Sequence, residues 1–231
     1  MAQSENNLIY LKIDKSLVDL SNVLANARIK FEYDRMHFSI NERIKKISVG
    51  YLGELLASAY FTSINIPFLH FINVGDFDKG YDFVIGSNFF DVKTTVFKRS
   101  YNSIDSFRKI SYENYHLYVA RDQGQFEGSK ADYYVQVLIT YDKANALLCG
   151  YTKKENLKPS YNTNNLFPAM EVPIMDLTPM EKMSTDENLI PRCYKCGSVF
   201  ISGQQPVEYQ IAQSLMKHGM VLCSSCINSF R

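Results

Sequence analysis

The chain has no run approaching the roughly 18 continuous apolar residues that a bilayer-spanning helix needs. No transmembrane helix is therefore expected. The opening stretch, MAQSENNLIYLKID, lacks a basic leader and an unbroken apolar core, so it does not read as a secretory signal. An intracellular, cytoplasmic protein without a membrane partner is the expectation. Charge of one sign is also missing: 25 Lys and Arg stand against 24 Asp and Glu, a net charge of +1. That withholds the overall basicity typical of nucleic-acid-binding domains and leaves phosphate contact to local patches. There is no internal repeat and no low-complexity tract, which excludes solenoids and arrays. Cysteine is scarce, with five in 231 residues.

What is present is enough apolar material, 46% of the chain, for a buried core in one or two domains. The stretch Gly80 to Thr95, GYDFVIGSNFFDVKTT, organises it. Tyr81–Ile85 and Phe89–Phe97 are apolar, aromatic and β-branched runs around the turn residues Gly86-Ser87-Asn88, so a β-hairpin is expected. Three charged residues interrupt these strands: Asp82, Asp91 and Lys93. Strand alternation puts Asp91, Lys93 and Thr95 on one face and Phe90, Val92, Thr94 and Val96 on the other. Charges beside a sheet core are costly unless they pair or hold a metal. The plainer alternative is a surface hairpin with an Asp91–Lys93 ion pair.

Upstream, Leu17, Leu20, Val23, Leu24 and Ala27 form a helical stripe. Ser39 and Glu42 have capping-box spacing, and a helix is expected from there to about Ser63. Its expected buried stripe is Ile44, Ile47, Tyr51, Leu55 and Ala59. Gly50 and Gly53 cost such a helix about 1 kcal/mol each relative to alanine. Close approach of this backbone to the sheet would compensate and would carry Glu54 over the hairpin. An ordinary solvated glutamate is the alternative.

The spacing Asp82, eight residues, Asp91-x-Lys93 resembles the PD-(D/E)xK nuclease superfamily. Tyr81 stands where that motif has proline. The resemblance covers roughly residues 40 to 158, and a strand ending in Gly150-Tyr151 before a short helix agrees with it. It implies an α/β, restriction-endonuclease-like fold: a mixed central sheet flanked by helices. It further implies Mg²⁺ held by Asp82, Asp91 and Glu54, with Lys93 assisting phosphodiester hydrolysis. DNA, double-stranded in the restriction-type reading, is the implied substrate. Many sequence-specific members act as homodimers. Lys98, Arg99, Arg108 and Lys109, interleaved with aromatics, are candidate nucleic-acid contacts; a solvated loop face is the alternative.

Residues 1–160 are read as the nuclease-like domain and 161–190 as a linker or arm; prolines concentrate from 158 to 190. Residues 191–231 are read as a small zinc module. There, Cys193-x2-Cys196 and Cys223-x2-Cys226 offer four thiolates to one tetrahedral ion. Four cysteines leave no open position for water, so a structural Zn²⁺ is expected. Two disulfides or a redox dithiol are the alternatives, and a reducing compartment disfavours the first. The helix between the pairs is expected to turn Ile211, Leu215 and Met216 to one side. Cys149, in the apolar ALLCGY, reads as a small core residue.

Three functions stay open. They are a restriction-type DNA endonuclease, a structure-selective resolvase or repair nuclease, and a non-catalytic zinc-dependent module that binds nucleic acid or protein.

Overall fold

Phe68–His70, Phe83–Ile85 and Asn88–Val96 form an antiparallel meander, which we label β2, β3 and β4. The computed structural model describes residues 8–31, 38–73, 80–97, 112, 115–120, 125–160, 168–200, 207–218 and 220–229. Before the meander come β1 (Ile9–Lys12), α1 (Lys15–Arg28) and α2 (Ile40–Ser63). After it come β5 (His116–Ala120), α3 (Gln125–Gly128), β6 (Tyr133–Ile139), β7 (Asn145–Lys153), β8 (Lys158–Pro159) and β9 (Ala169–Pro173). The C-terminal part holds α4 (Val207–His218) and α5 (Ser224–Asn228). Among the described residues, no helix is long and apolar enough to cross a membrane.

Six strands form one mixed sheet in the order β1-β7-β6-β4-β3-β2. The pair β4–β6 is parallel, from Phe90 opposite Tyr133 to Val96 opposite Ile139, and the other pairs are antiparallel. All of β6 and nearly all of β7 are buried, as expected of central strands covered on both faces. One face packs on α2 through Phe90, Val92, Val135, Val137, Leu52, Leu56 and Phe61. The other packs through Tyr134, Leu138, Leu147 and Cys149 against a second sheet, ordered β5-β9-β8, which contributes Leu117, Val119, Met170 and Val172. The architecture is mixed α/β, with helices beside a mixed sheet and a C-terminal cysteine cluster.

The helix starts obey their sequence signals. Ser39 N–H donates to Glu42 Oε2 at 3.0 Å and Glu42 N–H to Ser39 Oγ at 3.3 Å, closing the expected capping box. The buried faces differ from the expected stripes. In α1 the buried residues are Ser21, Ala25 and Arg28, while Leu20 and Val23 are 43% and 64% exposed. Small side chains let α1 approach α2, where Ser21 Oγ and Ser48 Oγ are 3.1 Å apart. In α2 Tyr51 is buried as expected, but Leu52, Leu56, Ala57, Tyr60 and Phe61 carry the interface and Ala59 is exposed. The expected stripe is about one residue, or 100°, off. In α4 Ile211 is buried, whereas Met216 is 80% exposed.

Within 158–190 the described residues are ordered against the sheet. β9 pairs with β5, Thr178 exchanges backbone hydrogen bonds with Tyr151, and Met180 and Met183 are buried in the main core.

Candidate active site and cysteine cluster

The hairpin turn is built by Gly86, whose φ of +63° suits glycine. A Cβ there would also lie 2.4 Å from the carbonyl oxygen of Leu189. Beyond Phe83 the ladder continues through a side chain. Asp82 N–H donates to the Phe90 carbonyl at 2.8 Å, and Asp82 Oδ2 accepts the Val92 N–H at 2.7 Å. Asp82 thus sits beside Asp91, continuing the register that pairs Phe83 with Phe90. Two residues further along β4, Lys93 Nζ reaches Asp91 Oδ2 at 2.7 Å, with the two side chains 33% and 16% exposed. The same ammonium lies 5.8 Å from the ring centre of Tyr134, on the parallel neighbour β6.

Helix α2 supplies the fourth group. A Cβ at Gly53 would meet Thr94 Oγ1 at 1.9 Å, so this glycine lets the helix backbone rest on β4. Further along α2, Phe61 packs edge to face on Phe68 of β2 at 5.6 Å and on Phe83 of β3 at 5.3 Å. Gly50 has nothing within 4 Å of the corresponding position, so only one of the two glycines serves close approach. The result places Glu54 near enough to Asp82 for its charge to be felt there.

Electrostatics follow from this crowding. Burial, then the carboxylates of Glu54 and Asp91, push the Asp82 carboxyl well above its ordinary value, against the Val92 N–H and Lys93. Burial works to lower the Lys93 ammonium, but Asp91 and Asp82 outweigh it and hold the proton more tightly than usual. The site is acidic, with one firmly protonated cation set against Asp91.

One site neighbour was missed in sequence reading. His70 Nε2 lies 3.1 Å from Glu54 Oε2, and both side chains are 13% exposed. Burial lowers the imidazole to about 4, so at neutral pH the ring is uncharged and the contact is a hydrogen bond. The signal was available: a polar residue inside the apolar FLHF is the same anomaly as Asp82 in YDFVI. Gln136 repeats it within YYVQVLIT. It is fully buried opposite Lys93, donates to the Val137 carbonyl at 2.9 Å, and leaves its Oε1 without a hydrogen-bond partner. Lys98, Arg99, Arg108 and Lys109 lie outside the described residues.

The four cysteines form a second cluster. Their sulfur atoms all lie within 4.8 Å of one another, and Cys196 Sγ and Cys223 Sγ are 3.7 Å apart. Zn–S bonds of about 2.3 Å in a tetrahedron put sulfurs about 3.8 Å apart. The cysteines are free thiols, so the set fits a zinc ion and no disulfide joins them. The turn after Cys193 closes through Gly197 N–H donating to the Cys193 carbonyl at 2.8 Å, with Gly197 at φ +71°. The second pair sits at the start of α5, where Cys223 is the N-cap. Burial raises the Cys193 thiol, but backbone N–H donors of Cys223, Cys196 and Lys195 more than offset it and bring it down to about 6. A thiolate, the form that binds zinc, is therefore favoured at Cys193 at neutral pH. Among the described residues this is the only group of three or more ligating side chains that converges so closely; Glu54, Asp82 and Asp91 are more open. Cys149 is fully buried in the core.

The cysteine cluster is docked on the hairpin. Val84 of β3 shares one apolar cluster with Cys193, Phe200, Ile211, Val221, Leu222 and Cys226, with Leu69, Phe71, Tyr81 and Phe89 packed at its edge. Arg192 N–H donates to Ser87 Oγ at 3.0 Å, and Ser87 Oγ donates back to the Arg192 carbonyl.

No protein-family model matches the chain, and no match was found among curated proteins or solved structures.

Proposed function

We propose that the protein is a metal-dependent nuclease of PD-(D/E)xK type, cleaving phosphodiester bonds in DNA. One observation carries the reading. A helix glutamate, two hairpin aspartates and a hairpin lysine lie near one another where the chain enters β3 beside β4, and burial, then the charges of Glu54 and Asp91, raise the Asp82 carboxyl. Such a set is completed electrostatically by a divalent cation. The oxygen donors present suit Mg²⁺: the carboxylates of Asp82, Asp91 and Glu54, with the Val92 carbonyl in the same strand. The ion would lower the pKa of a bound water and offset charge developing on the phosphate. Asp82 and Asp91 hold and orient it. Lys93, which keeps its proton, stabilises negative charge on the reacting phosphate and does not act as a base. The four cysteines hold a structural Zn²⁺. A restriction-type enzyme remains our first reading, with a structure-selective repair nuclease as its close relative.

A second reading has one observation in its favour. Asp91 and Lys93 already satisfy each other at 2.7 Å, and the carboxylates converge less closely than the cysteines. In that reading the ion pair is structural and the protein is a zinc-dependent binding module.

Cleavage of supercoiled plasmid and phage DNA with Mg²⁺ separates the two, comparing the native chain with Asp91→Ala. The nuclease reading expects Mg²⁺-dependent products lost in the variant; discrete bands mean sequence choice and a smear means none. Products unchanged in Asp91→Ala refute the assignment. No cutting by either protein favours the binding module.

A further inference from the structure

We propose that His70 is a positioning residue that sets the reach of Glu54 toward Asp82, and so the divalent-cation affinity of the site. The inference deepens the nuclease reading and rests on it. A glutamate on a helix has a long, flexible side chain, and ordering it costs up to about 2 kcal/mol in rotamer freedom. The structure supplies the restraint. His70 Nε2 is 3.1 Å from Glu54 Oε2, in surroundings where both side chains are 13% exposed and water competes weakly. The imidazole is itself held. It stacks on Phe83 with ring centres 4.3 Å apart and planes 19° from parallel, and His70 and Phe83 are register partners across β2 and β3. Phe83 adjoins Asp82 in sequence. One short chain of contacts therefore joins the two carboxylates, from Glu54 through His70 and Phe83 to Asp82. It ties the helix to β3 and so to the strand that Asp82 enters, whereas Gly53 meets only β4.

A histidine in this place could also be an ordinary core residue with a satisfied hydrogen bond, so the test separates the ring from its N–H. His70→Phe keeps the stack on Phe83 and removes the donor. His70→Gln keeps an N–H donor and removes the ring. Both are made in the full chain loaded with zinc. The readouts are Mn²⁺ affinity by titration calorimetry and the thermal midpoint without Mn²⁺. A positioning role expects Mn²⁺ affinity to fall about 10–100-fold in His70→Phe, the range for outer-shell partners of metal ligands. It expects His70→Gln to restore most of that affinity even where its midpoint drops. In a Glu54→Gln background, His70→Phe should then change Mn²⁺ affinity no further. The proposal is overturned if His70→Phe binds Mn²⁺ like the native chain, or if affinity follows the midpoint and not the donor. Mn²⁺ binding by the native chain that is lost in Asp91→Ala, with His70→Phe unaffected, sinks this proposal alone. A native chain that binds no Mn²⁺ beyond its zinc sinks the metal reading and this proposal together.

Discussion

Adding one methyl group at Gly53 should destabilise the protein, whereas adding one at Gly50, on the same helix, should stabilise it. Gly→Ala in a helix interior gains about 1 kcal/mol where there is room. At Gly50 there is room, because nothing lies within 4 Å of the new Cβ. At Gly53 the new Cβ falls 1.9 Å from Thr94 Oγ1, 3.0 Å from Thr94 Cβ and 3.1 Å from Thr94 Cγ2. Turning Thr94 about χ1 moves the oxygen away but leaves its Cβ too close. The helix and β4 must then separate by a few tenths of an ångström, against the Phe61 cluster and the parallel β4–β6 ladder. Overpacking of this kind costs about 1–3 kcal/mol, which offsets or exceeds the helix gain. Denaturant titrations of the two single variants should therefore differ by about 1–3 kcal/mol, or several degrees in thermal midpoint for a chain of this size. Thr94→Ala supplies the control. Thr94 Oγ1 is buried without a hydrogen-bond partner, so its removal strands no partner, and it should relieve much of the penalty at Gly53. A double-mutant cycle should give a coupling of about 1 kcal/mol or more. Equal effects at the two glycines, or no coupling to Thr94, would refute the argument that Gly53 is there for close approach. The helix position of Glu54 would then need another cause.

Three further outcomes follow from the site. Asp82→Asn should raise the thermal midpoint of the Mg²⁺-free protein at pH 7. A carboxyl raised in the folded state favours folding below its unfolded value of about 3.8 and loses that contribution as pH rises through the folded value, so the advantage of Asn should shrink toward pH 4 in melts at both pH values; a lower midpoint at pH 7 would refute the crowding. Lys93→Met should leave Mn²⁺ binding largely intact while cleavage falls, because the ammonium is assigned to the phosphate; unchanged cleavage rejects that role. Metal analysis should find one zinc per chain, and chelation should raise hydrogen exchange in Phe83–Ile85 as well as around the cysteines, since Val84 lies in their apolar cluster; exchange confined to the C-terminal part would show that the cysteine cluster does not support the hairpin.

The sequence carried the hairpin, the capping box and the cysteine cluster because each is a local signal. Turn chemistry at Gly86, a side chain three residues from its cap and a pair spacing all act within a few residues. Helix faces were less legible. In α1 the sets Leu17, Leu20, Val23, Leu24, Ala27 and Val18, Ser21, Ala25, Arg28 both repeat at helical spacing. Apolarity favoured the first, and the structure buries more of the second because small side chains fit against α2. That choice depends on a partner helix distant in sequence. His70 stands out within FLHF, but what it does was not legible, for a similar reason. Its role depends on Glu54 arriving from another element, which required knowing that Gly53 meets Thr94 and not that Gly50 meets anything. The region 158–190 reads as a linker, or as an arm lying over the domain, by its prolines and asparagines. Yet Met180 and Met183 are buried beneath Tyr151 and its neighbours, a packing that no local pattern announces.

The position of the cysteine cluster bears on what the C-terminal part is for. Its core residues Ile211, Val221 and Leu222 are spent on Val84 and on the edge formed by Leu69, Phe71 and Phe89. Its approach segment is pinned to the hairpin turn through Ser87, and Asn88 Nδ2 donates to the Asn188 carbonyl at 2.7 Å. The hairpin is short: three residues in β3 and two turn residues before β4. Two-stranded hairpins have little stability alone. This one is held by β2 and β6 along its two edges, α2 on one face and the cysteine-bearing segment at its turn. Asp82, just before β3, is tied to both neighbours, its carbonyl accepting the Phe71 N–H at 2.8 Å and its N–H donating to the Phe90 carbonyl at 2.8 Å. A metal-clamped segment with too small a core to fold alone would gain its order from the ion and pass it to the turn. That argues for a bracing role, in which the four thiolates act on the carboxylate site by holding the strand between them.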